Sequence, residues 1–159
     1  MIMSRRENPP YVLRVTQVPW ICDYNVSMCA FSARRRLGNV GEDVACEFLL
    51  RKGFVVVTRN YLKPWGEIDI IAKKGNDYRF IEVKTISRAT STGGDSRATR
   101  INMTAEDHIH LAKLKKLVRT VELYMGNIKG DVDYQIDVVT VELDLTTRKA
   151  RCKLYEQVL

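Results

Sequence analysis

The chain has 159 residues, 45% of them hydrophobic and 28% charged, with a formal net charge of +7. That is enough apolar material for one ordinary domain with a real core, and no apolar run approaches the roughly 18 residues a membrane span needs. The charge is uneven: residues 1–36 hold six arginines against Glu7 and Asp23, a net +4. A positive balance of this size is compatible with nucleic acid without singling it out. The four cysteines, at 22, 29, 46 and 152, make no C-x-x-C pair and no Cys/His cluster with zinc spacing. The pattern suits a reducing cytoplasm.

Residues 1–33 lack sustained periodicity and are interrupted by Pro9, Pro10 and Pro19. Residues 18–31 lean apolar, but Asp23 and Asn25 make them a poor core for a secretory leader. Two readings stay open: a disordered tail, or a start assigned too early with Met28 as the true one. The folded domain is then residues 34–159. Arg34, Arg35 and Arg36 could form a basic arm for nucleic acid, although a run this short is ordinarily just solvated.

Residues 37–52 read as a helix, with Asn39 as N-cap and Gly53 just past the end. Val44, Ala45, Phe48 and Leu49 form its apolar stripe. Glu42 lies three and seven residues before Ala45 and Leu49, on that inward stripe. A first-turn acid favours the helix dipole, yet its inward placement is better explained by a site. Residues 54–58 form a short strand, followed by an irregular Arg59-Asn60-Tyr61 and a turn at Pro64-Trp65-Gly66.

Residues 66–85, GEIDIIAKKGNDYRFIEVKT, read as a hairpin turning at Gly75-Asn76. With Lys74 paired to Asp77, Asp69 falls opposite Glu82 and Glu67 opposite Lys84. One face then carries Glu67, Asp69, Glu82 and Lys84, with Ile71 and Phe80 toward the turn. The other carries Ile68, Ile70, Ala72, Ile81 and Val83, broken by Arg79. Like charges directly opposite on a sheet repel. A divalent cation with oxygen ligands would hold both ionised. A solvated face with a surface ion pair is the plainer alternative. Against it stand the apolar groups on both faces and the two acids at one level.

Residues 86–103 make a long loop of Ser, Thr, Gly and Arg, in which Arg88, Arg97 and Arg100 could meet phosphates. A simple surface loop is the alternative. Residues 104–125 read as a second helix, with Thr104 and Asp107 resembling a capping box. Its buried stripe is Leu111, Leu114, Leu117, Val118, Val121 and Met125. Lys113, Lys115, Lys116 and Arg119 form a basic outer surface, a candidate nucleic-acid contact through Lys113 and Lys116. Residues 134–143 form a strand in which Asp137 has a structural role, bonding a nearby arginine or backbone. A turn over residues 146–149 leads to a final strand near residues 151–158.

Asp, a gap, then Glu-x-Lys on adjacent strands resembles the active-site motif of the restriction-endonuclease-like nuclease superfamily, which includes archaeal Holliday-junction resolvases. More closely, the chain is similar to the YraN-like bacterial family. The matching segments are GNVGEDVACEFLLRKGF, TRNYLKPWGEIDIIA, FIEVKT and YQIDVVTV, spanning about residues 37–141. The resemblance implies an α/β fold with an αβββαβ core, a mixed sheet flanked by helices. It implies Mg²⁺ or Mn²⁺ on Asp69 and Glu82, with Glu42 completing the site. Lys84 would orient the attacking water, and Glu67 would pair with Lys84. The expected substrate is DNA, cut at phosphodiester bonds, with branched or damaged DNA in view. A two-fold substrate would favour a homodimer. A binding module that kept the fold without catalysis is the rival expectation.

Overall fold

The computed structural model describes residues 11–14, 30–88 and 111–158. The elements are β1 (Tyr11–Arg14), α1 (Ala30–Arg51), β2 (Val55–Lys63), β3 (Gly66–Lys74), β4 (Asp77–Arg88), α2 (Leu111–Met125), β5 (Tyr134–Asp144) and β6 (Lys149–Tyr155). From α1 to β5 the order is the expected αβββαβ. Among the described residues the strands make one six-stranded sheet in the order β1-β6-β5-β4-β3-β2. The β4–β5 pair is parallel and the other neighbours are antiparallel, so the sheet is mixed.

Among the described residues each face of the sheet carries one helix. Val44, Ala45, Phe48 and Leu49 of α1 are buried against Ile70, Ala72, Ile81, Val139 and Val141. Leu117 and Val121 of α2 are buried against Ile71, Phe80 and Ile136 on the opposite face. The two-residue alternation of the hairpin thus feeds two cores, each large side chain contributing about 1.5–3 kcal/mol on burial. Ile68 departs from the alternation: it packs under α2 with Ile71 rather than under α1 with Ile70. The β3–β4 register ends at Ile70–Ile81, and beyond it the strands part.

Several expectations are corrected. Asn39 does not cap α1, because the helix is already formed at Ala30. Residues 30–37 include good helix formers, and Leu37 and Val40 pack partly buried against the core. That burial outweighs a local capping preference. The helix does end as expected, with Gly53 at φ +81°. Arg59-Asn60-Tyr61 is not irregular but part of a nine-residue β2. A register shift between Val56 and Thr58 and a positive φ at Asn60 let that strand stay paired with β3. Tyr11–Arg14 is a strand rather than tail, since the edge of β6 offers it backbone partners. Residues 30–33 belong to α1. The remaining tail residues, Met28 among them, and the Thr104–Asp107 box lie outside the described residues. The last strand begins at Lys149 and ends at Tyr155.

Gly41 fixes how closely α1 approaches β4. A Cβ there would lie 1.8 Å from Thr85 Oγ1 and 2.8 Å from its Cβ. Gly41→Ala is therefore expected to cost about 1–3 kcal/mol by overpacking, despite alanine's better helix propensity. Urea unfolding measures this, and Thr85→Ala in the same chain should restore most of the loss. An undiminished midpoint for Gly41→Ala alone would mean that α1 lifts off the sheet freely.

Candidate functional site

The hairpin turns where the sequence places it: Lys74 pairs with Asp77, and the register runs back to Ile70–Ile81. Asp69 and Glu82 are the next residues on either strand, at the point where the ladder stops. Asp69 Oδ2 accepts a 2.7 Å hydrogen bond from the Val83 N–H, so a carboxylate takes over from a backbone carbonyl as partner. Both acids are buried, Glu82 to 2% exposure. Burial, and then the neighbouring charge of Glu82, push the Asp69 carboxyl up to about 7.

Glu82 Oε1 accepts from Lys84 Nζ at 3.0 Å and from Lys113 Nζ on α2. Glu82 Oε2 is buried and has no hydrogen-bond partner among the described residues. These side chains, with Glu42 and Glu67, line a cleft of about 480 Å³. The cleft opens where β3 and β4 part, so groups from both helices reach it. Glu42 sits on its α1 side, 3.7 Å from Arg59 Nη2. Burial raises the Glu42 carboxyl above its ordinary value, while a bond with Asn60 and the Arg59 charge hold it back. Arg59 also bridges to Asp43 at 2.7 Å.

Glu42, Asp69, Glu82 and Lys84 therefore line one cleft. Two contacts differ. Lys84 pairs with Glu82 and not with Glu67, which is exposed. The strands have parted at that level, so the partner on Lys84's own strand is nearer. Lys113 is not on the outer basic surface but reaches into the cleft. It stands four residues before Leu117 and so shares the buried stripe, a signal present in the sequence. Lys115, Lys116 and Arg119 are exposed on α2. The Arg119 guanidinium lies 4.6 Å from the Trp65 ring centre. Arg97, Arg100 and the Arg88 side chain lie outside the described residues. Arg59, which the sequence leaves in a loop, holds the Glu42 carboxylate.

Asp137 has its expected structural role. It is fully buried and accepts from Arg79 at 3.2 Å, Gln135 at 2.6 Å and the Gln157 N–H at 2.9 Å.

Fold and cleft define an α/β protein with a restriction-endonuclease-like core. A family model described as "Uncharacterised protein family UPF0102" matches residues 41–141, which include Asp69, Glu82, Lys84 and Lys113. A UPF0102 protein of Campylobacter jejuni subsp. doylei is 36% identical over 110 residues, covering 68% of this chain and 85% of its own. One from Campylobacter concisus is 40% identical over 106 residues, covering 66% and 82%. The chain belongs to the UPF0102 family, the YraN-like bacterial family, and with its fold matches a nuclease-like superfamily. Among the described residues, no three His, Cys, Asp or Glu are grouped to hold a metal ion, and no helix is long and apolar enough to cross a membrane.

Proposed function

We propose that this protein is a metal-dependent nuclease that hydrolyses phosphodiester bonds of DNA. The observation that carries the reading is the Asp69–Glu82 pair. Two acids are buried side by side in a cleft, one oxygen of Glu82 has no hydrogen-bond partner among the described residues, and lysines stand beside them. Burying like charges together opposes folding and is retained where function repays it.

The donor set suits a hard divalent cation. Mg²⁺ is ordinarily held by one or two carboxylates, with waters and substrate phosphate oxygens filling the rest. Asp69 and Glu82 meet that need without a third acid grouped with them, and Glu42 would assist directly or through water. Bound Mg²⁺ or Mn²⁺ supplies Lewis-acid neutralisation of charge developing on the scissile phosphate. The protein's own groups do the rest. The Val83 N–H fixes the Asp69 carboxylate, and Glu82 presents its open oxygen. Lys84 keeps an ammonium in the cleft to orient the attacking water and offset transition-state charge. Glu67 would polarise the cleft mouth. Lys116, with Arg88, Arg97 and Arg100, would hold the DNA backbone through sequence-independent phosphate contacts. Branched or damaged DNA is the favoured substrate form, and a two-fold substrate would call for a homodimer.

The rival reading, a binding module on a nuclease fold, draws on the two lysines that already neutralise Glu82. Cleavage of labelled duplex, single-stranded, flap and four-way-junction DNA in Mg²⁺, Mn²⁺ or EDTA separates the two. Metal-dependent cutting that falls about a thousandfold in Glu82→Ala is expected. Binding without cutting by either protein would replace the nuclease with the module.

A further inference from the structure

Lys113 has no part in the scheme above. It crosses the cleft from α2 and shares Glu82 Oε1 with Lys84. The two lysines are held differently. Lys84 stands two residues from Glu82 on the same strand, so the backbone sets their separation. Its side chain is 24% exposed, against 42% for Lys113. Lys113 reaches Glu82 from a separate element on a four-carbon stem. Glu82, one of the two acids that would take a metal, therefore also holds this ammonium.

We propose that Lys113 is the resident cation of the cleft, neutralising Asp69 and Glu82 when no metal is bound and yielding its place when a divalent cation enters. The inference rests on the metal-dependent reading above. Charge balance supports it. In the ionised form that would take a metal, Asp69 and Glu82 carry two negative charges, and Lys84 and Lys113 carry two positive ones. A divalent ion added to that balanced set would leave the cleft with an excess of two positive charges at short range, where repulsion is weakly screened. One ammonium must move, and the more exposed one, on the flexible stem, has the easier path. Once released it stands at the cleft mouth, where the phosphates of an incoming strand would draw it. DNA would then raise metal affinity by removing a competitor, and metal would raise DNA affinity in equal measure.

The test is Mn²⁺ binding to the DNA-free protein by isothermal titration calorimetry, so it does not depend on turnover. Lys113→Met is expected to bind Mn²⁺ about tenfold more tightly than wild type, because one competing charge is gone. Lys113→Arg keeps the charge and Lys116→Met removes one from the exposed face; both should stay within about twofold of wild type. Lys113→Gln repeats the measurement with a polar stem of similar reach, guarding against a folding defect in the methionine variant. Equal or weaker Mn²⁺ binding by Lys113→Met and Lys113→Gln would overturn the proposal and leave the nuclease reading standing. Absence of Mn²⁺ binding by wild type and both variants at millimolar metal would remove both, and the cleavage panel would then show no metal dependence.

Discussion

Asp137→Ala is expected to cost about 3–5 kcal/mol, among the largest losses available to a single change in this sheet. The carboxylate is fully buried and serves three donors: Arg79, Gln135 and the Gln157 N–H. Its removal leaves the Arg79 guanidinium, with a side chain only 11% exposed, dependent on Glu156 at 3.4 Å. Among the described residues Arg79 Nε is already buried without a hydrogen-bond partner, and the Phe54 ring 5.9 Å away offers the guanidinium only a weak contact. The Gln157 N–H also loses its acceptor, which loosens the segment after β6. Urea unfolding followed by circular dichroism reads the effect. Asp137→Asn, which keeps an acceptor oxygen, should fall between wild type and alanine. A loss below about 1 kcal/mol for Asp137→Ala would mean that Glu156 suffices to neutralise Arg79.

Asp69→Asn is expected to move stability and activity in opposite directions. The Asp69 carboxyl is raised to about 7 from an ordinary 3.8, by burial first and by Glu82 second. Between about pH 4 and pH 7 the folded protein keeps a proton that the unfolded chain has released. Stability therefore falls as pH rises through that window, and the whole penalty is present above it. Asparagine keeps an acceptor for the Val83 N–H and removes the charge. In EDTA at pH 8 the variant should be more stable than wild type by about 1–3 kcal/mol, and the two should converge near pH 4. Lys113, exposed enough to turn toward solvent, limits the charge imbalance left behind. Metal-dependent cleavage should meanwhile drop on the order of a thousandfold. Thermal melts across pH in EDTA, beside cleavage in Mg²⁺, measure both. A variant less stable than wild type at pH 8, or a gain that persists at pH 4, would show that Asp69 is comfortably ionised without metal.

The hairpin was legible because its signals are local: Gly75-Asn76 for the turn, alternation for the faces, and pair counting for the acidic level. Asp137 was legible because an acid in a β-branched strand needs a partner. The misses have longer-range causes. Asn39 has the chemistry of a cap, but the burial of Leu37 and Val40 extends the helix past it. Lys113 falls on the apolar stripe, yet a lysine stem can carry its head to water or to a buried acid. Nothing near Lys113 in sequence says that Glu82 waits across the cleft. Ile68 changes face because β3 and β4 part after Ile70–Ile81, which strict alternation does not anticipate.

The four pairs between β1 and β6 have a consequence for the molecule's behaviour toward its own copies. Open sheet borders invite strands from other chains. At the other border, β2 is broken in register near Val57 and carries Arg59 and Lys63. The β6 border has instead been covered by a strand borrowed from before α1. A chain beginning at Met28 would keep the acidic hairpin and both helices but leave the backbone of β6 unclaimed. Such a shortened protein would keep the cleft residues and replace the four-residue border strand β1 with the longer open edge of β6, a wider template for strands of its own copies.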